Sequence, residues 1–149
     1  MKSTVELDID LPRQQLAALF ADPTLNTKWM DDIERYEPVS GQPGAPGSKY
    51  RLIPKKGDMV FVATVISNDL PRESRLFLDG SNVTVSITAQ YVALSPRKSR
   101  PVSEEVFTFK NLIGKIMSFF ARGAIRKAHR RHMEAFKRFA ERGGQATTG

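Results

Sequence analysis

The sequence has no cysteine, which excludes disulfides and every thiolate metal site. Only two histidines occur, His129 and His132, too few for an imidazole-built transition-metal site, so no metal and no cofactor is expected. Long apolar runs are missing as well. The longest, Met59 to Ile66, is interrupted by Thr64 and falls far short of the roughly 20 residues that a membrane-spanning helix needs. The opening Met1-Lys2-Ser3-Thr4-Val5-Glu6 alternates polar and apolar residues and lacks the apolar segment of a secretory signal. A soluble, cytoplasmic protein is the expectation. There is no internal repeat and no low-complexity block. A chain of 149 residues suits one domain, and at this length folding buries about 68–70% of the unfolded chain's surface, enough for a core without staples.

Acidic residues are in deficit: 16 against 23 Lys and Arg, a net charge of +7. The deficit is local. Lys110 to Arg142 holds ten basic residues against Glu134 and Glu141, a balance of +8, while the rest of the chain is nearly neutral. Three readings of that basic segment stand: a solvated helix face, a membrane-surface helix aided by Phe119 and Phe120, or phosphate contacts to RNA or DNA. No nucleic-acid motif accompanies it, and no strand interleaves aromatic with basic residues. Nucleic acid is therefore not an expected partner, and weak contact with an anionic membrane stays open.

Periodicity organises the chain. Val5, Leu7, Ile9 and Leu11 alternate with polar residues, which predicts a half-buried strand. Pro12 suits the first turn of a helix carrying Leu16, Leu19 and Phe20, and Asp22-Pro23 opens a second short helix to about Asp31. Strand signals then dominate: Tyr36–Val39, Lys49–Ile53, Met59–Ile66, Ser74–Leu78, Val83–Leu94 and Val102–Phe109, joined by short turns. Runs of strands without strand–helix alternation predict an α+β fold with an antiparallel sheet. The last element is a helix, Leu112 to Glu141. Gly143-Gly144 ends it, and 143–149 is expected to be a flexible tail after one domain spanning 1–142.

That helix is amphipathic. Ile113, Ile116, Met117, Phe120 and Ala124 share one face, and the stripe is read as continuing through Ala121, Ile125, Ala128, Ala135, Phe136 and Phe139. Lys115, Arg122, Arg126, Arg130 and Lys137 lie roughly opposite. His132 falls in the middle of the apolar stripe, whereas His129 points toward the basic side.

Three local patterns carry a family likeness. Asp22-Pro23 precedes the only tryptophan, Trp29; a glycine-rich turn, Gly41 to Gly47, leads into Ser48-Lys49-Tyr50-Arg51; and Phe107-Thr108-Phe109 runs into the apolar–basic helix ending near Phe139. With the element order, these resemble the START-like or SRPBCC superfamily of helix-grip domains, which includes pollen-allergen-like and polyketide cyclase/dehydrase-like proteins. The likeness covers nearly the whole chain as topology. It implies a curved seven-stranded antiparallel sheet, two short helices after the first strand, and a grip on one long C-terminal helix. It also implies a cavity between sheet and helix for a lipid- or polyketide-like molecule. The glycine-rich turn leads into a strand and lacks Gly-Lys-Ser/Thr, so no nucleotide site is expected there.

Strand parity and helix phase nominate the walls of such a cavity. On strands these are Tyr50, Leu52, Leu76, Leu78, Val85, Ile87, Ala89, Tyr91, Phe107 and Phe109. On the long helix they are Met117, Phe120, Ala121 and Ala124. Trp29 either staples the second helix to the sheet or, as the resemblance implies, borders the mouth. The opposing reading is that side chains fill this space. Binding of an apolar or aromatic small molecule is the first functional reading. The alternative is a cyclase- or aromatase-like enzyme. Its candidates are Glu105, which shares strand parity with Phe107 and Phe109, together with His132 and Tyr91, and with Arg75 as a further partner. Either a monomer or a homodimer fits.

Overall fold

Alternation of apolar and polar side chains lets a strand put one face on a core and the other in water, and seven segments use that solution. The computed structural model describes residues 1–143. The elements are β1 (Lys2–Glu6), α1 (Arg13–Ala21), a 3-10 turn (Pro23–Leu25), α2 (Asn26–Trp29), β2 (Ile33–Ser40), β3 (Lys49–Pro54), β4 (Phe61–Asp69), β5 (Glu73–Asp79), β6 (Val83–Ser95), β7 (Lys98–Phe109) and α3 (Leu112–Glu141). The sheet order is β1-β7-β6-β5-β4-β3-β2, and every neighbouring pair is antiparallel. Six strands form a meander, and β1 closes onto the outer edge of β7. This is the expected α+β architecture: an open seven-stranded sheet with two short helices after β1 and one long helix at the end. The expected tail lies, beyond Gly143, outside the described residues.

The boundaries differ where side chains outcompete the ladder. β1 stops at Glu6 instead of reaching Leu11, and beyond it only Ile9 keeps a bridge, to Ser99. Asp8 is held sideways by Arg100, with Nε 2.7 Å from Oδ1, and its carbonyl accepts from Lys137 Nζ at 2.8 Å. β7 starts at Lys98, four residues before the expected Val102, because Pro96 and Arg97 suffice for the turn.

The loop between β2 and β3 needs its glycines. Gly41, Gly44 and Gly47 have φ of 77°, 84° and 86°, the left-handed region that other residues adopt at a cost. A Cβ on Gly41 would sit 3.0 Å from Ser48 Cα. We expect Gly41→Ala to lower stability by about 1–3 kcal/mol, read from the urea midpoint; an unchanged midpoint would mean the loop relaxes freely.

Two clusters make the core. In one, Ile9, Leu16, Ala17, Ala89, Tyr91, Phe136, Phe139 and Ala140 join α1 and the end of α3 to the middle of the sheet. In the other, Ile33, Tyr50, Leu52, Ala63, Val65, Leu78 and Val85 cover strands β2–β6.

The helix keeps the expected phase in its second half, where Ile125, Phe136 and Phe139 are covered, and departs from it in its first half. Its covered side runs through Ile125, His129, Met133, Phe136 and Ala140, while Ile113, Ile116, Met117 and Phe120 are exposed. From Phe120 to Ile125 is five residues, about 140° around a helix. The two apolar runs therefore lie on different sides and are not one stripe. Over its first turns the covered row is Gly114, Ser118 and Ala121, small side chains that need little burial.

Candidate functional site

Between the inner face of the sheet, α2 and the middle of α3 lies a cavity of about 100 Å³. The strands contribute Tyr50, Leu52, Val65, Leu76, Leu78, Ile87 and Ala89, and Trp29, Met30 and Phe20 close it from the helical side. From α3 it receives His129, His132 and Met133. A second hollow of about 520 Å³, lined by Asp31, Asp32, Lys55, Lys56 and Arg131 among others, has a largely charged rim and does not share the aromatic wall.

Of the expected wall residues, Trp29, Tyr50, Leu52, Leu76, Leu78, Ile87 and Ala89 line the cavity, and Val85, Tyr91, Phe107 and Phe109 do not. Val85 is buried within the sheet-face cluster, with Phe107 packed against it. Tyr91 is buried in the other cluster, and its hydroxyl is 2.7 Å from Ser74 Oγ. The helix residues need correction. Met117 and Phe120 are 60% and 77% exposed, Ala124 is exposed and Ala121 half-buried, and none reaches the cavity. The helix meets it about three turns later, at His129 to Met133, because the covered face is the other one.

Trp29 sits in an aromatic stack. Its ring lies 5.7 Å from Phe20 and 5.2 Å from Phe136, the first stacked and the second edge-on. Its Nε1 is buried without a hydrogen-bond partner. Asn68 Oδ1 is likewise buried and unpartnered, while its Nδ2 donates to the Gly44 carbonyl at 2.7 Å and so sets the amide's orientation. Both residues line the cavity. Buried polar groups are normally paired, so a donor and an acceptor are left on walls that are otherwise mostly apolar. Asn68 reaches this place through a register shift. β4 carries one extra residue between Val65 and Ser67, which sets Asn68 opposite Ser74. Parity counted from the sequence does not anticipate a bulge.

The titratable groups gather at the β7 side. Ile87, Glu105 and Ser3 are adjacent across three strands. His129 is buried, with Nδ1 2.8 Å from Ser3 Oγ and Nε2 3.0 Å from Ser103 Oγ. Both ring nitrogens are thus satisfied by hydroxyls, which serve either tautomer. Burial, helped by the positive charges of His132 and Arg130, pushes its pKa down to about 4, so the ring is neutral near pH 7. Glu105 Oε1 stands 3.8 Å from His129 Nδ1, beyond a hydrogen bond. Burial pushes the Glu105 carboxyl up to about 7, partly countered by His132. His132 is half-buried, and its Nε2 is 3.0 Å from Asp32 Oδ2. Burial opposes its charge, but the Asp32 hydrogen bond and the charges of Asp32 and Glu105 outweigh it and raise its pKa.

The two histidines therefore exchange the roles expected from the helix wheel: His129 is the buried one, and His132 reaches toward Asp32. Tyr91 is not brought to Glu105. Arg75 does line the cavity, but its guanidinium pairs with Glu73, with Nε 2.8 Å from Oε1. Counting back from Phe136 and Phe139 in steps of three and four, rather than forward from Ile113, would have found His129 and Met133.

No protein-family model and no curated protein matches the sequence. Solved structures do match by shape. TTHA0849 from Thermus thermophilus is 12% identical with a TM-score of 0.79, over 97% of this chain and 100% of that one. A START superfamily protein from Mycobacterium smegmatis is 14% identical at 0.71, over 95% of each chain. Norcoclaurine synthase from Thalictrum flavum, solved in complex with dopamine and hydroxybenzaldehyde, is 14% identical at 0.70, over 99% of this chain and 89% of that one. The likeness in shape over nearly the whole chain, together with the seven-stranded antiparallel sheet and the long last helix, gives the chain the helix-grip α+β fold.

Proposed function

We propose that this chain binds a small aromatic or apolar molecule that carries a polar handle, in the cavity bounded by Trp29, Asn68 and Glu105. The observation that supports this most directly is the pair of unpartnered buried atoms, Trp29 Nε1 and Asn68 Oδ1, on apolar walls. A ligand oxygen accepts from the first, and a hydroxyl or amine donates to the second. Size narrows the class. An engineered apolar cavity of about 150 Å³ accepts benzene, whereas drug-sized ligands need about 300–1,000 Å³. The 100 Å³ here favours a single ring over a sterol or a long polyketide. Dopamine and hydroxybenzaldehyde, held by the similarly folded norcoclaurine synthase, are single-ring molecules with such handles, which makes hydroxybenzaldehyde a reasonable probe.

Titration calorimetry with hydroxybenzaldehyde and with toluene tests this reading. Binding of both is expected. Ala89→Leu, which fills the cavity from β6, should weaken both by at least about tenfold. Trp29→Phe removes the indole donor together with one ring of the wall, so the donor is read from the difference between probes: the loss for hydroxybenzaldehyde should exceed the loss for toluene by about two- to tenfold, the worth of one net hydrogen bond. No heat with either probe, and no small molecule retained in native mass spectrometry of the purified protein, would sink the reading.

Glu105 favours a second reading. An unpaired carboxyl with a pKa near neutrality beside His132 suits proton transfer on a carbonyl-bearing aromatic, as a cyclase-like enzyme requires. Under that reading Glu105→Gln abolishes turnover with ligand affinity kept; a simple carrier has no turnover to lose.

A further inference from the structure

The outer face of α3 changes character half-way along. Leu112, Ile113, Ile116, Met117, Phe119 and Phe120 are between 52% and 77% exposed. They occupy consecutive turns, and none touches the cavity. Six large apolar side chains in one run are more than a monomer surface normally leaves in water. They are not held by a neighbour in the fold: Phe119 and Phe120 pack on each other, edge to face at 5.5 Å, and Arg122 lies 4.4 Å over the Phe119 ring. Basic residues border and continue this face. Lys115 and Arg122 flank it, and Arg126, Lys127 and Arg130 follow it along the helix. No Asp or Glu occurs between Glu105 and Glu134. Among the described residues, Lys115, Arg122, Arg126 and Lys127 form no ion pair.

We infer that the first half of α3 docks on an anionic lipid bilayer, with Ile113, Ile116, Met117 and Phe120 entering the interfacial layer and the flanking Lys and Arg meeting lipid phosphates. Charge selects the occupant. A second copy laid on this face would set one acid-free basic run against another, and the repulsion would oppose the apolar gain. Anionic headgroups neutralise the same charges and attract each of them within a Debye length of the surface. Long basic side chains also reach upward while the helix lies shallow in the interface. The inference is independent of the cavity.

Vesicle flotation of the full chain tests it, with phosphatidylcholine alone and with phosphatidylcholine–phosphatidylglycerol mixtures. Flotation with the anionic vesicles only, weakening as salt rises, is expected. Ile116→Ser with Phe120→Ser should cut vesicle affinity by at least about tenfold, as should Arg122→Gln with Arg126→Gln and Lys127→Gln. Because these side chains are exposed, thermal transitions and hydroxybenzaldehyde binding should not move. Three results would overturn the inference: no flotation with anionic vesicles, a loss confined to the charge variant, or light scattering that shows a dimer abolished by the serine pair. An RNA complex that displaces vesicles and ignores the serine pair would likewise do so.

Discussion

Phe136→Ala should cost about 3–5 kcal/mol, the range for removing a fully buried phenylalanine, and Phe120→Ala on the same helix should change stability by less than about 0.5 kcal/mol. Phe136 has no exposed surface. Its ring meets Phe20 at 5.0 Å and Trp29 at 5.2 Å, both edge-on, and Phe139 at 6.4 Å. It therefore ties α1, α2 and α3 into one cluster over Ala89 and Tyr91. Truncation removes the apolar contact and leaves a void that three rings fill only partly. Against a typical total stability of about 5–15 kcal/mol, that is a large share. Urea unfolding followed by Trp29 fluorescence reads it directly, since Trp29 is the only tryptophan. Equal losses at the two positions would mean that the first half of α3 is packed in solution and that its exposed apolar face is not available to a membrane.

The contrast between these two phenylalanines also shows what could be read in the sequence. Strands were legible because period-two alternation has one physical cause, a sheet with one buried face. The parity that placed Leu76, Leu78, Ile87, Ala89 and Glu105 inward survives in the pairing of β5, β6 and β7. The long helix was legible as a helix, and in phase only over its second half, where Ile125, Phe136 and Phe139 are covered. Its two apolar runs, Ile113–Phe120 and Ile125–Phe139, each satisfy helical spacing, and nothing local says which one the sheet will cover. Tertiary packing decides, and it covers the run that shares its cluster with α1. Asn68 was out of reach for another reason: the extra residue in β4 changes which side chains face inward, and a bulge needs no distinctive residue type. Met133, Ser103 and His129 were available in principle, since each sits one helical turn or one strand pair from a residue already assigned inward.

Glu105→Gln should leave stability unchanged below about pH 4.5 and raise it, relative to the parent, by about 3 kcal/mol above pH 7. The Glu105 carboxyl has an ordinary value of 4.5 and is pushed up to about 7 by burial. The folded state therefore holds a proton that the unfolded chain releases between those values. Its favourable contribution is complete below pH 4.5 and is lost as pH rises through 7. His129 works in the opposite direction: 6.5 ordinarily, about 4 when buried between Ser3 and Ser103. The unfolded chain takes up a proton that the folded ring refuses, so the His129 contribution is complete above pH 6.5 and is lost as pH falls through 4. Between about 4.5 and 6.5 the two slopes, each about 1.4 kcal/mol per pH unit, nearly cancel. Glutamine keeps the shape and neutrality of the protonated acid, so it deletes one slope and exposes the other. Chemical denaturation across this range gives the difference directly, free of every titration that parent and variant share. A difference that is flat with pH would place the Glu105 carboxyl in water and remove the proton-transfer reading with it. A difference that rises through pH 7 would mean that the cavity holds an acid about half ionised at neutrality, a state from which one group can both give and accept a proton.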